Sequence, residues 1–212
     1  MTRPPWILAT RNAGKLRELR ALFADAGIDV IDLDAAGIGP RAEEEEIEVH
    51  DTFVDNALAK ARYYAARAPG RVVVADDSGL EVQALGGAPG VRSKRWSARD
   101  DLSGDALVAA NNALLVARLD GVADRRARFV CAAAWCDGVT TEVALGEVAG
   151  TIVSRGAGAE GFGYDPHFFA TELGRTLAEA SVAEKQRVSH RGRAFASLLD
   201  RLRARGIVSR GS

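Results

Sequence analysis

Cysteine, histidine and lysine are all scarce in this chain, and each scarcity removes a class of function. There are 2 cysteines, Cys131 and Cys136, too few for a disulfide framework. Their odd spacing sends them to opposite faces of one strand, as two buried free thiols. The 3 histidines, His50, His167 and His190, are too scattered for a zinc cluster. Any metal would be a hard cation on oxygen ligands. Lysine stands only at Lys15, Lys60, Lys94 and Lys185, which leaves 24 arginines among the 28 cationic residues. In so arginine-biased a chain, each retained lysine is a candidate for local chemistry. A net charge of −1 excludes a general nucleic-acid footprint. No apolar run reaches membrane-spanning length, and Met1-Thr2-Arg3 leads straight into an expected strand. Neither a membrane span nor a signal peptide is expected, and the expected location is the cytoplasm.

What is present is a globular composition. The 212 residues are 47% hydrophobic and 27% charged, enough for a sizeable core in one large domain or in two lobes sharing a sheet. No internal repeat or low-complexity boundary divides the chain.

Trp6 to Thr10 reads as a first strand. Asn12 then caps a helix whose apolar face is Leu16, Leu19, Leu22, Phe23 and Ala26, closed by Gly27. This strand–turn–helix presents backbone N–H groups and Lys15 at a helix N-terminus, where phosphate binds readily. It is not a Walker A loop, which needs glycine in place of Ala9 and Ser or Thr in place of Leu16. Ile28 to Asp32 reads as a second strand. The acidic run Glu43-Glu44-Glu45-Glu46 is expected to be a solvated face, whereas Glu48 sits just ahead of a second helix capped by Asp51 or Thr52. On that helix Asn56 and Lys60 share one side at i, i+4: either an exposed polar stripe or a wall of donors.

The central stretch runs from Val72 to Ser97. Val72, Val73 and Val74 read as a buried strand, ending in the adjacent carboxylates Asp76 and Asp77. Two such acids repel and are costly to bury unless a cation offsets them. The glycine-rich turn from Gly86 to Gly90 lets backbone approach a ligand closely. Beyond it, Ser103 to Leu119 reads as a helix with Leu107, Ala110, Leu114 and Leu115 inward. Arg128 to Asp137 and Thr140 to Gly146 read as a hairpin, and Gly150 to Val153 as a further strand. The loop GAGAEGFGYDPHFF is too aromatic for a linker and suits a buried anchor or a stacking platform. Ser189 is expected to cap a last helix with Phe195, Leu198, Leu199 and Leu202 inward, and Ile207 to Ser212 to fray. His190 and Arg191 at that helix start oppose its dipole, an argument for function over stability.

Six pieces in register then carry a resemblance: T-x-N-x-x-K (Thr10, Asn12, Lys15), F-x-D-N-A-x-x-K-A (Phe53 to Ala61), A-D-D-S-G-L (Ala75 to Leu80), L-G-G-A-P-G (Leu85 to Gly90), G-F-G-Y-D-P (Gly161 to Pro166) and E-K-x-x-x-S-H-R (Glu184 to Arg191). Together the chain resembles the inosine triphosphate pyrophosphatase family, which hydrolyses non-standard purine nucleoside triphosphates such as ITP, dITP and XTP and so cleanses the nucleotide pool. The resemblance implies one α/β domain over 1–212, elongated and two-lobed, with a long twisted mixed sheet flanked by helices and a cleft between the lobes. It also implies a homodimer, a requirement for Mg²⁺ with Mn²⁺ as the alternative, and products that are the monophosphate and pyrophosphate. Carried over by residue, Thr10, Arg11, Asn12, Ala13, Gly14 and Lys15 bind the triphosphate. Lys60 and Ser78 also touch substrate. Asp77 is the proton acceptor and a metal ligand. Phe162, Gly163, Tyr164, Asp165, Lys185, His190 and Arg191 form the base pocket. Where the family reads E-T-G-x-T-F, this chain has Glu48-Val49-His50-Asp51-Thr52-Phe53. By register Glu48 is the second metal ligand, with Glu45 and Glu46 its alternatives. Lys94 and Trp96 replace a small residue and a tyrosine, a change expected at the cleft rim or a dimer contact.

The expected chemistry follows. A triphosphate needs cations and donors before water can attack, and Lys15, Lys60 and a cation on Asp77 and Glu48 meet that need. Asp76, on the opposite face of a persisting strand, takes a supporting place. Lys185 and Arg191 carry donors only, suited to the 6-keto oxygen of hypoxanthine and xanthine, with Phe162 stacking on the ring. The rival readings are a Maf-like pyrophosphatase for another modified nucleotide and a nucleotide-binding regulator that hydrolyses nothing.

Overall fold

A computed structural model describes residues 4–208. The expectations for Met1-Thr2-Arg3 and for residues 209–212 lie outside it. Seven strands form one mixed sheet in the order β2-β1-β3-β4-β5-β6-β7: β1 (Trp6–Leu8), β2 (Val30–Asp32), β3 (Val73–Val82), β4 (Arg126–Cys136), β5 (Thr141–Ile152), β6 (Phe168–Ala170) and β7 (Arg175–Thr176). The helices are α1 (Ala13–Asp25), α2 (Phe53–Arg67), α3 (Gly104–Arg118), α4 (Val182–Val188) and α5 (His190–Ala204). β1 pairs in parallel with β2 and β3, and β6 pairs antiparallel with β5 and β7. No described helix is long and apolar enough to cross a membrane.

The chain divides into two compact units. The first draws its described residues from Met1–Asp77, Cys131–Gly146 and Arg191–Ser212. Its core joins Trp6 and Leu8 of β1, Leu19, Leu22 and Phe23 of α1, Trp135 of β4, and Phe195, Leu198 and Leu202 of α5. The helical members recur at three and four residues, so each helix turns one apolar stripe inward. Phe23 packs edge-on to Trp6 and to Phe195, with ring centroids 5.8 and 5.6 Å apart. α1 begins where the Asn12 side chain accepts the Lys15 N–H at 3.0 Å, and it ends where Gly27 takes the left-handed backbone at φ 67°. Ile207 and Val208 pack against this core, so the fraying expected from Ile207 onward does not begin there.

The second unit takes Ser78–Val130 and Glu147–His190. Leu80 and Val82 of β3, Leu115 of α3 and Leu119 just after it, Phe129 of β4, Ile152 of β5, Tyr164 and Phe168 form its core. The buried line is therefore Asn111, Leu115 and Leu119; of the expected stripe Leu115 is fully buried, while Leu107, Ala110 and Leu114 are half-buried. Trp96 packs against this core.

Three elements differ from expectation. β3 does not stop at the valines but runs on through Asp76, Asp77, Ser78 and Gly79 to Val82. The strand expected near Gly150 is the far end of β5. Ser189 stands immediately before α5, as expected, but it also ends an additional seven-residue helix, α4, opened by a capping box between Ser181 and Glu184.

Candidate active site

Because β3 continues, Asp76 and Asp77 fall on opposite faces of one strand. Their surroundings diverge accordingly. Asp76 is fully buried, and its Oδ2 receives Lys15 Nζ at 3.0 Å and Arg191 Nε at 3.1 Å. Cys131 Sγ lies 3.9 Å from the same oxygen. Arg191 Nη1 also donates to Glu18 Oε2 at 2.5 Å. Burial would push the Asp76 carboxyl up, but Lys15, Arg191 and Lys60 outweigh it and hold it well below the usual carboxylate range. Asp76 is thus an ion-paired anchor.

Asp77 is the opposite. Its Oδ2 accepts Asn56 Nδ2 at 2.9 Å. Burial raises its carboxyl above the ordinary value, and the nearby charge of Glu48 adds to that. Lys15 and Lys60 only partly offset the rise. Adjacent carboxylates whose affinities for a proton are driven apart are suited to different chemical tasks.

α2 supplies the donors around them. Thr52 caps it by accepting the Asp55 N–H at 3.1 Å, which sets Asn56 and Lys60 one turn apart on the inward side. Both are buried, at 1% and 8% exposure, which decides for the wall of donors. Asn56 also accepts the His50 N–H at 2.9 Å and donates to the His50 carbonyl at 3.2 Å, so it ties the segment after Glu48 to Asp77. Lys60 Nζ pairs with Glu48 Oε1. Burial opposes charge on both, yet mutual attraction keeps Lys60 raised and Glu48 lowered, so both stay ionised.

The turn before α1 exposes backbone N–H groups of the kind that anions take. Thr10 Oγ1 accepts the Asn12 N–H at 3.2 Å. A helix start leaves its first N–H groups, here those of Ala13 and Gly14, without intrahelical partners. Among the described residues no group of three or more His, Cys, Asp or Glu gathers into a metal cage. A pair of carboxylates, Asp77 and Glu48, fits Mg²⁺, which keeps several waters and takes one or two carboxylates together with substrate phosphates.

The remaining expected residues lie in the second unit. Asp165 Oδ2 accepts both Lys185 Nζ and the Phe162 N–H at 2.8 Å, and Lys185 sits 5.5 Å above the Phe162 ring. A Cβ on Gly161 would collide with Asp165 Oδ2 and come within 2.9 Å of Lys185 Nζ. Tyr164 is an anchor, buried, with its hydroxyl donating to the Ser93 carbonyl at 2.8 Å. Phe162, half-buried, is the aromatic left for stacking. Gly163 takes the left-handed backbone at φ 62°, and its carbonyl accepts Asn112 Nδ2 at 3.0 Å. His190 stacks on Phe129 at 4.7 Å. Ser78 is half-buried beside Asp77 in the chain.

Two sets thus form: Lys15, Glu48, Lys60, Asp76 and Asp77 in one unit, and Phe162, Asp165, Lys185 and His190 in the other. Arg191, expected with the second set, belongs to the first, its guanidinium committed to Asp76 and Glu18. Arg11, expected on phosphate, is held by Glu44, Asp34 and the Ile38 carbonyl. Sequence reading left out Glu18 and did not place Asn56 in the site. The signal for Asn56 was its i, i+4 spacing to Lys60. Glu18 lies 173 residues from its partner and gave none.

The profile of the Ham1 family matches residues 6–201. A protein of Bordetella parapertussis named dITP/XTP pyrophosphatase is 48% identical over 210 residues, covering 96% of this chain and 93% of its own. One of the same name from Burkholderia pseudomallei is 50% identical over 199 residues, covering 92% of each. Among solved structures, the Ham1 protein of Staphylococcus aureus superposes with a TM-score of 0.78 at 33% identity, covering 95% of this chain and all of that one. Matched in sequence along nearly its whole length and in fold by a solved member, the chain belongs to the Ham1 family.

Proposed function

We propose that this protein hydrolyses non-standard purine nucleoside triphosphates (ITP, dITP and XTP) to the monophosphate and pyrophosphate, with a divalent cation, Mg²⁺ first. The observation that carries this is the different setting of two adjacent carboxylates on β3: Asp76 is buried and paired with Lys15 and Arg191, while Asp77, on the opposite face, is held by the neutral amide of Asn56. Pure nucleotide binding needs no such group. The names of the relatives from Bordetella and Burkholderia support the substrate class.

The bond broken joins the α and β phosphates. Asp77 takes the proton of the attacking water, which becomes the new oxygen of the monophosphate, and pyrophosphate leaves with the bonding pair. Asp77 and Glu48 would hold the cation, which supplies neutralisation of phosphate charge and a lower pKa for bound water. Lys15, Lys60 and the N–H groups of Ala13 and Gly14 would stabilise negative charge on the phosphates. Asp76 keeps Lys15 in place. In the second unit the ammonium of Lys185 faces a 6-keto oxygen, Asp165 holds that ammonium, and Phe162 stacks on the purine. A 6-amino group would bring donor against donor, so ATP is disfavoured. We place the activity in the cytoplasm, on the free nucleotide pool, in a homodimer.

The test is pyrophosphate release from dITP, XTP, GTP and ATP, with and without Mg²⁺. Metal-dependent release favouring dITP and XTP is expected. Preference for a modified pyrimidine would point to a Maf-like pyrophosphatase, and tight binding without release to a regulator.

A further inference from the structure

Arg11 stands in the turn that leads into α1, beside the groups proposed for phosphate, but its guanidinium is turned to other partners. Nε donates to Glu44 Oε2 and Nη2 to Glu44 Oε1, both at 3.0 Å. Nη2 also donates to the Ile38 carbonyl at 3.1 Å, and Nη1 to Asp34 Oδ1 at 3.1 Å. The Asp34 side chain is 84% exposed and adds little. Glu44 is a different matter, with 14% exposure and a two-point fork that a planar guanidinium makes and an ammonium does not.

Glu44 is gripped from its other side as well. Arg67, in the last turn of α2, donates through Nη1 to Glu44 Oε1 at 2.9 Å and through Nη2 to the Gly39 carbonyl at 2.8 Å. Glu43, Glu45 and Glu46 are exposed, as a solvated run is expected to be. Glu44 alone of the four turns inward. The run forms a short 3-10 turn, Ala42–Glu46, which ends two residues before Glu48. Four consecutive acids followed by a fifth repel one another, so their segment needs a cationic hold to stay folded back.

We propose that Arg11 is a positioning residue rather than a phosphate ligand. Its fork with Glu44 latches the acidic turn, and with it Glu48, to the turn that opens α1. What the latch positions rests on the proposed function; that it holds the segment does not.

The experiment compares Arg11→Ala, Arg11→Lys, Glu44→Gln, the double variant Arg11→Ala/Glu44→Gln, and Arg41→Ala as control, since the Arg41 guanidinium pairs with the exposed Glu43. Two quantities are read. The first is hydrogen exchange of the amides from 39 to 48, without metal or nucleotide. The second is the Mg²⁺ concentration for half-maximal dITP hydrolysis. The latch predicts roughly tenfold faster exchange and a several-fold higher Mg²⁺ requirement in both single variants, no further loss in the double variant, no rescue by lysine, and no change in the control. A rise in KM for dITP with Arg11→Ala but not with Glu44→Gln would make Arg11 a direct ligand and overturn the proposal. So would a lower melting temperature with local exchange and Mg²⁺ requirement unchanged, or an equal effect of Arg41→Ala. If the wild type hydrolyses no purine triphosphate, the proposed function fails, and the exchange data still decide the latch.

Discussion

Asp76 and Asp77 are chemically identical and adjacent, so replacing each by asparagine separates anchoring from catalysis. Asp77→Asn removes the proposed proton acceptor and keeps the shape of the side chain. It is expected to lower kcat by about 10²-fold or more while the protein stays folded. Near-normal turnover in the folded variant removes Asp77 from the mechanism. Asp76→Asn instead leaves Lys15 and the buried Arg191 without the carboxylate between them. Breaking a buried pair in this way costs about 3–5 kcal/mol, read as a drop in the urea midpoint. If Asp76→Asn unfolds no more easily than Asp77→Asn, the anchor role is wrong. The adjacency of the two acids was plain in the sequence, and so was their alternation across a strand. The partners of Asp76 were not. Arg191 reaches it from 115 residues away, a separation across which no local periodicity operates.

At the scale of elements, the long amphipathic pieces were legible and the short or interrupted ones were not. α1, α2 and α5 declare themselves by apolar spacing and by caps such as Asn12 and Thr52. β5 was read as two strands because Gly146 and Gly150 look like breaks, yet both lie within it. A paired strand tolerates glycine when its neighbours hold the ladder, and the Gly150 position has no room for a side chain, since a Cβ there would meet Phe168 and the Phe169 carbonyl. α4 spans seven residues, too few for a 3.6-residue period to show. On α3 Leu115 was legible as inward, but Asn111 was not, because it is polar: it accepts the Ser97 N–H at 2.8 Å and donates to the Lys94 carbonyl at 3.0 Å. Its neighbour Asn112 holds the Gly163 carbonyl, which makes α3 the support of the aromatic loop. Loss of such a bond is worth about 1 kcal/mol. Asn112→Ala is therefore expected to lower kcat/KM for dITP about fivefold with little change in melting temperature. An equal loss for every nucleotide, ATP included, would tie Asn112 to the phosphate chemistry instead.

For the whole molecule, acidic and basic residues nearly cancel, 29 against 28, so response to pH is set by individual carboxylates rather than by net repulsion. Glu44, held to about 2 first by its hydrogen bond from Arg11, and Asp76, held lower still, are both depressed on folding. A depressed carboxyl stabilises the fold above its unfolded value and loses that contribution as pH falls toward its folded value. Stability is thus expected to decline from about pH 4.5 downward, and Glu44→Gln to flatten the part of the decline between about pH 4.5 and 2. Asp77 has the reverse sign. Its folded value is raised, so its contribution is present below the unfolded value and is lost as pH rises through the folded one. At neutral pH its charge opposes folding. Asp77→Asn is accordingly expected to melt at a higher temperature than the wild type at pH 7, by a few degrees, with the difference closing by pH 3. Mg²⁺ is expected to raise the melting temperature of the wild type and not that of Asp77→Asn, because a cation that binds the native state through Asp77 stabilises it by mass action. A wild type indifferent to Mg²⁺ in the millimolar range would mean that the carboxylate is not a metal ligand. An Asp77→Asn protein that melts lower at pH 7 would mean that its charge is no strain on the fold.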